Sequence, residues 1–203
     1  MIDIQLGDCQ VLGESVCADS VDLIITDPLY AREALPLYGW LGRFAARVLK
    51  PGAYLFAYGA TMFQREVMTE LDASGLTYFW QDIILHSGSQ PRIWSLKLMS
   101  SYKPVFIYTK GEPSIRPWRA TAHNCKQDKR YHRYGQGMEF PIKLIEMYTQ
   151  PGALICDPFS GGGTVAAVCK LTHRNFVGFE KDATAHQACL TRLAYMPEGL
   201  DIM

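Results

Sequence analysis

Apolar residues in this chain fall into short unbroken runs, and stretches of helical period separate most of them. Val21-Asp22-Leu23-Ile24-Ile25-Thr26 is the clearest run. Leu23, Ile24 and Ile25 are adjacent rather than alternating, which fits a strand buried on both faces of a parallel sheet. Asp27-Pro28-Leu29-Tyr30 follows, and Pro28 cannot continue a ladder, so an acid and an aromatic ring stand at a carboxyl edge. From about Ala34, residues Leu37, Trp40, Leu41, Phe44 and Val48 give one helical face that stops at Lys50-Pro51-Gly52. Ala53 to Tyr58 predicts a strand, and Thr61 begins a helix with Phe63, Val67 and Leu71 inward, closing at Gly75. Upstream, Ile2 to Leu6 predicts a short strand that delivers Gly7-Asp8-Cys9 to a loop.

Thr77 to His86 and Val105 to Tyr108 predict strands four and five. No helical pattern intervenes, so the two are expected to pair antiparallel. Past Lys110-Gly111 the pattern dissolves into a long loop, and Pro141 to Tyr148 predicts a short helix. A sixth strand, Ala153 to Cys156, runs into Asp157-Pro158-Phe159-Ser160-Gly161-Gly162-Gly163-Thr164, with a helix over Val165 to Leu171 behind it. Asn175 to Glu180 is the seventh strand, and Asp182 caps a last helix through Leu193. Seven strands with helices between most of them predict one doubly wound, mostly parallel α/β domain over residues 1–203.

With 48% hydrophobic and 20% charged residues, the composition is that of an ordinary globular chain. No run approaches membrane-spanning length, and Met1-Ile2-Asp3-Ile4 lacks the basic-then-apolar pattern of a secretory signal. Cys9, Cys17, Cys125, Cys156, Cys169 and Cys189 form no CxxC pair, which fits reduced thiols and a cytoplasmic location. His123, Cys125 and His132 are the only zinc candidates, and their spacing matches no usual site, so no metal is expected.

Lysine plus arginine equals aspartate plus glutamate at 20 each, so net charge does not announce a nucleic-acid partner. The distribution says more. Residues 112–138 hold Arg116, Arg119, Lys126, Lys129, Arg130 and Arg133 against Glu112 and Asp128, which leaves this segment +4 and the remainder −4. Trp118, Tyr131 and Tyr134 are interleaved with these cations, a mixture suited to phosphate contact and base stacking.

The glycine-rich turn after Asp157 lets backbone N–H groups approach a ligand, at a helix N-terminus that favours anionic groups. No lysine follows the glycines, so it is not a P-loop, and Val165-Ala166 breaks the GxGxxG pattern. By itself it fits a tight strand-to-helix turn equally well. Glu180 ends the next strand, at about the distance where dinucleotide folds place a ribose-binding acid. Together the two describe a nucleoside-cofactor site.

Asp157 to Thr164, taken with Asp27-Pro28-Leu29-Tyr30, resembles the cofactor and catalytic motifs of S-adenosylmethionine-dependent DNA amino-methyltransferases. The order, catalytic motif first and glycine motif last with the basic loop between, resembles the β class of adenine-N6 and cytosine-N4 enzymes. Gly7-Asp8-Cys9, Lys50-Pro51-Gly52, Tyr102-Lys103-Pro104 to Lys110-Gly111, and Gly178-Phe179-Glu180 extend the likeness over nearly the whole chain. The resemblance implies a circularly permuted order in which the seven strands lie one, seven, six, two, three, five, four, with only the Val105 strand antiparallel.

It also implies roles. Asp27 and the Pro28 carbonyl would hold the amino group of a flipped base, and Tyr30 would stack on it. Asp8, Cys9, Asp27, Pro141, Asp157, Phe159, Gly161, Gly163, Thr164 and Glu180 would form the cofactor site. Arg116, Arg119, Lys126, Lys129, Arg130 and Arg133 would contact double-stranded DNA. The implied assembly is a homodimer, since some β-class relatives pair. An aspartate opening the catalytic motif leans toward adenine N6, with cytosine N4 the alternative. Two departures stand out: Phe140-Pro141 replaces the usual Lys-Pro, and Leu29 replaces a second proline that would stiffen the catalytic loop. Leu29 is also the one sequence hint of a DNA-binding scaffold that no longer turns over.

Overall fold

Leu23, Ile24 and Ile25 are all fully buried, and that single observation sets the architecture: their strand has cover on both faces. The computed structural model describes residues 1–86, 90–125 and 137–196. In chain order its elements are β1 (Ile2–Leu6), α1 (Cys9–Leu12), β2 (Val21–Thr26), α2 (Leu35–Val48), β3 (Leu49–Tyr58), α3 (Gln64–Asp72) and β4 (Thr77–Leu85). Then come β5 (Arg92–Ile93), β6 (Leu98–Met99), β7 (Tyr102–Thr109), β8 (Ala122–Asn124), α4 (Glu139–Tyr148), β9 (Leu154–Asp157), α5 (Thr164–Leu171), β10 (Asn175–Glu180) and α6 (Ala183–Tyr195).

Eight strands form one sheet in the order β1-β10-β9-β2-β3-β7-β4-β8. The expected order of seven is present, and β7 runs antiparallel to both β3 and β4. The eighth strand was not anticipated. β8 adds in parallel beside β4, pairing Ile83 with Ala122 and Leu85 with Asn124, so part of the segment read as a loop is strand. β5 and β6 form a separate two-stranded hairpin.

Successive residues of β2 and β3 feed two cores. Ile24, Leu55 and Ala57 pack against Tyr38, Leu41, Phe44 and Val48 of α2 and Val67 and Leu71 of α3. Leu23, Ile25, Phe56 and Tyr58 pack on the other face against Phe140, Leu144 and Ile145 of α4 and Val165 and Val168 of α5. The inward residue in the first turn of α2 is Tyr38 rather than the expected Leu37. The Tyr38 hydroxyl donates to the Tyr58 carbonyl at 3.0 Å, so its polar tip is satisfied within the core. Among the described residues, no helix is long and apolar enough to cross a membrane.

This order places β1, β10, β9 and β2 side by side and parallel, so their carboxyl ends share one edge. Asp8, Glu180, the glycine turn and Asp27 all follow those ends. Because β7 is antiparallel, its first residues reach the same edge.

Candidate active site

Asp157 closes β9 and is the hub of the edge. Its side chain is buried, and its Oδ1 accepts from Thr26 Oγ1 at 2.7 Å and from the Phe159 backbone N–H at 3.1 Å. One carboxylate thus ties the end of β2 to the start of the glycine turn. Burial pushes this carboxyl up to about 7, the charges of Asp27 and Glu180 add to the rise, and the two hydrogen bonds oppose it.

The turn needs its glycines. Gly161 and Gly163 have φ of +50° and +72°, and a Cβ on Gly163 would collide with Cys189 Sγ of α6. Glu180 reads the turn from the next strand: its Oε2 accepts from Gly161 N–H at 2.7 Å and its Oε1 from Asp182 N–H at 2.7 Å. Phe159 is half-buried with its ring edge-to-face on Trp40 at 6.1 Å. Thr164 Oγ1 accepts from Arg192 at 2.9 Å.

Asp8 caps α1, accepting from Gln10 N–H at 2.9 Å, and that bond above all holds its carboxyl below the usual range. Lys181 lies 3.2 Å from it. Cys9 is buried beside it, which pushes its thiol up to about 12, so it packs rather than reacts. Pro141 is buried in the first turn of α4. Its neighbour Phe140, the departure from the usual Lys-Pro, is also buried and packs on Tyr58 and His123.

Asp27 stands at the end of β2, between the glycine turn of β9 and the end of β3. Pro28 is buried and Leu29 points to solvent. The Tyr30 hydroxyl donates to Asp27 Oδ1. Lys103 Nζ reaches Asp27 Oδ2 at 3.4 Å and lies 4.8 Å from the centre of the Tyr30 ring and 5.4 Å from that of Tyr58. Lys103 is the residue that sequence reasoning missed at this site. The first residues of β7 thus bring a cation to Asp27.

The arrangement joins an acid suited to accept from an amine, a stacking ring beside it, and a glycine turn with a carboxylate two strands away. A family model described as DNA methylase, for N6/N4 methyltransferases, matches residues 21–190. The chain belongs to the N6/N4 DNA methylase family. It is 26% identical to the putative methylase YubD of Escherichia coli K12, over 96% of this chain and 91% of that one. It is 31% identical to the type II methyltransferase M.HindIII of Haemophilus influenzae, over 72% of this chain and 65% of that one. Its fold is similar to that of the PvuII cytosine-N4-specific DNA methyltransferase, with a TM-score of 0.82 at 17% identity over 98% and 88% of the two chains. The complex of M1.HpyAVI with S-adenosylmethionine gives 0.76 at 22% identity over 95% and 100%.

Of the six cations in the basic segment of this methylase, Arg116 and Arg119 are among the described residues, and they lie apart. The Ile115 carbonyl accepts from Tyr54 Oη at 2.5 Å and Ser114 N–H donates to the Gly52 carbonyl, so the chain here starts near the amino end of β3. Arg116 is paired with Glu112 on this stretch, away from the catalytic edge. Arg119 is turned into the protein: its guanidinium pairs with buried Asp82, donates through Nε to Tyr148 Oη at 2.8 Å and lies over Phe56. Arg116 and Arg119, both expected to contact DNA, thus have intramolecular partners at separate places. Arg119 is a structural anchor, because the fully buried Asp82 demands a cation. Lys126, Lys129, Arg130 and Arg133, with His132 of the zinc candidates, lie outside the described residues. The described chain leaves β8 at Asn124 and re-enters at α4, both at the catalytic edge.

Proposed function

We propose that this methylase transfers the methyl group of S-adenosylmethionine to the exocyclic N6 of adenine in double-stranded DNA, with the base turned out of the helix. The observation that carries the reading is the sharing of one sheet edge by Asp27 and by the Glu180–Gly161 turn. The residues present fit the cofactor. Glu180 already accepts from two N–H groups and has the oxygens to receive a pair of ribose hydroxyls. Phe159 offers a half-exposed ring edge-to-face with Trp40, and Asp8, which follows β1 at the same sheet edge, is an acceptor for the adenine amine. When bound, S-adenosylmethionine supplies an electrophilic methyl group.

The chain's own part is to make a poor nucleophile attack. The lone pair of an exocyclic amine is delocalised into the ring. Asp27 and the Pro28 carbonyl accept from the two amine N–H groups, which draws the nitrogen toward sp³ and aims its lone pair outward. The positive charge that develops on the nitrogen is neutralised as its extra proton moves along the hydrogen bond to Asp27. Tyr30 must first leave Asp27 Oδ1, where its hydroxyl now sits, and its ring is then free to stack on the base.

The aspartate that opens the motif favours adenine over cytosine N4. A second reading, methylation at cytosine N4, keeps every role above and changes only the base, and the PvuII enzyme of similar fold carries that specificity in its name. Labelled methyl transfer to unmethylated duplex DNA followed by nucleoside analysis decides. N6-methyladenine from wild type and none from Asp27→Ala is expected. N4-methylcytosine corrects the base, and no methylated nucleoside from a sample that binds the cofactor refutes the reading.

A further inference from the structure

Between β4 and β7 the chain builds a hairpin that serves neither core. β5 and β6 pair Arg92 with Met99 and Ile93 with Leu98, and Trp94-Ser95-Leu96-Lys97 closes the turn, with Lys97 at φ +53°. Trp94, Leu96, Leu98 and Met99 are 77%, 58%, 57% and 63% exposed, a density of uncovered apolar area that isolated surface residues do not show. A two-stranded hairpin is marginal by itself, yet the stem of this one is fixed. Ser100 is buried, donates its N–H to the Pro91 carbonyl at 2.8 Å, and shares a 2.6 Å hydrogen bond with Thr61 Oγ1. Three residues further on is Lys103, which contacts Asp27. The hairpin is thus mounted on the catalytic edge.

Its charge identifies the occupant. From residue 83 to 111 the chain carries Arg92, Lys97, Lys103 and Lys110 and no acid at all. Arg92 lies 5.5 Å from the centre of the Trp94 ring, so a cation and an aromatic plane are presented together. A second copy docking through the same hairpin about a two-fold axis would bring together two acid-free segments that both carry Arg92 and Lys97, with no opposite charge to meet either. A polyanion with stackable faces suits the pattern, since cations follow the phosphates while apolar side chains wedge between base steps.

Resting on the DNA-methylase reading above, we infer that the Arg92–Met99 hairpin is a duplex-contacting wedge, with Trp94 and Leu96 inserted beside the base to be turned out and Arg92 and Lys97 on the flanking phosphates. It supplies DNA contact from a part of the chain distinct from the basic segment.

The test is binding of the full chain to an end-labelled, mixed-sequence, unmethylated duplex by anisotropy at two salt concentrations. Cofactor affinity and sedimentation velocity are measured on the same samples. Trp94→Ala/Leu96→Ala should weaken duplex binding about ten-fold at both salts, and Arg92→Ala/Lys97→Ala should also flatten the salt dependence. Cofactor affinity and melting temperature should not move, because these side chains touch neither core. If both variants bind DNA like a wild type that does bind, the hairpin's role is overturned and the DNA reading stands. A wild type that binds cofactor but no duplex overturns both. Variants that lose only self-association assign the hairpin to a second copy and overturn the inference.

Discussion

Lys103 Nζ lies 3.4 Å from Asp27 Oδ2, with the ammonium against the faces of Tyr30 and Tyr58. The ammonium fixes where that carboxylate sits. Lys103 is therefore a positioning residue: it holds the Asp27 carboxylate in place at the sheet edge. Lys103→Met should lower kcat with cofactor affinity and melting temperature unchanged, and Lys103→Arg should restore part of the loss. A Lys103→Met protein with wild-type kcat, or one whose only loss is in cofactor affinity, would reject this role.

Arg119 gives a prediction that separates structure from binding. Asp82 is fully buried, and its Oδ1 has no hydrogen-bond partner among the described residues, so it leans on Arg119 and on His123 at 3.1 Å. Arg119→Ala should destabilise the fold by about 3–5 kcal/mol. Asp82→Asn combined with Arg119→Met should recover much of that. Urea denaturation of the three proteins is the measurement. Equal stability with weakened DNA binding would return Arg119 to the DNA surface.

Gly163 has φ +72° and no room for a Cβ beside Cys189. Gly163→Ala combines left-handed backbone strain of roughly 1–2 kcal/mol with overpacking of roughly 1–3 kcal/mol. Adding Cys189→Ala should relieve the second part and leave the first. A double-mutant cycle in denaturant checks this, and strict additivity would disprove the contact.

Asp157 predicts a pH dependence of stability. Its folded-state value of about 7 is above the ~3.9 of an unfolded carboxyl. Between the two, the folded chain holds a proton that the unfolded chain has lost. Through this group, stability therefore falls as pH rises across that window and levels off above about 7. Asp157→Asn keeps an Oδ1 to accept from Thr26 and Phe159, and removes the titration. The variant's advantage in melting temperature should be largest above pH 7 and shrink toward pH 4. A gap that stays constant with pH would show that Asp157 is ionised throughout.

The strand order was legible because buried parallel strands announce themselves as unbroken apolar runs, as at Leu23-Ile24-Ile25, and because Asp27 and the Asp157 turn end two of them. Lys103 was not legible as a site residue. It opens a strand rather than closing one, and only the reversed direction of β7 carries it to the catalytic edge. Arg116 and Arg119 were grouped with later cations because they are near in sequence. Nothing local reveals that buried Asp82, on a strand some three dozen residues earlier, takes Arg119 inward. β5, β6 and β8 have two or three residues each, too few for any period to register.

The pairing of β1 with β10 also bears on synthesis. Met1 N–H donates to Asn175 across 174 residues of chain, and Ile2 lies in register with Phe176. At the ribosome's pace of about 5–20 residues per second, the first strand waits roughly ten to thirty-five seconds for its neighbour. Residues 21–109, which hold β2, β3, β4 and β7, can assemble during that interval. The half of the edge that carries Asp27 is then made before the half that carries Glu180, so the two motifs can meet only after residue 180 has been synthesised.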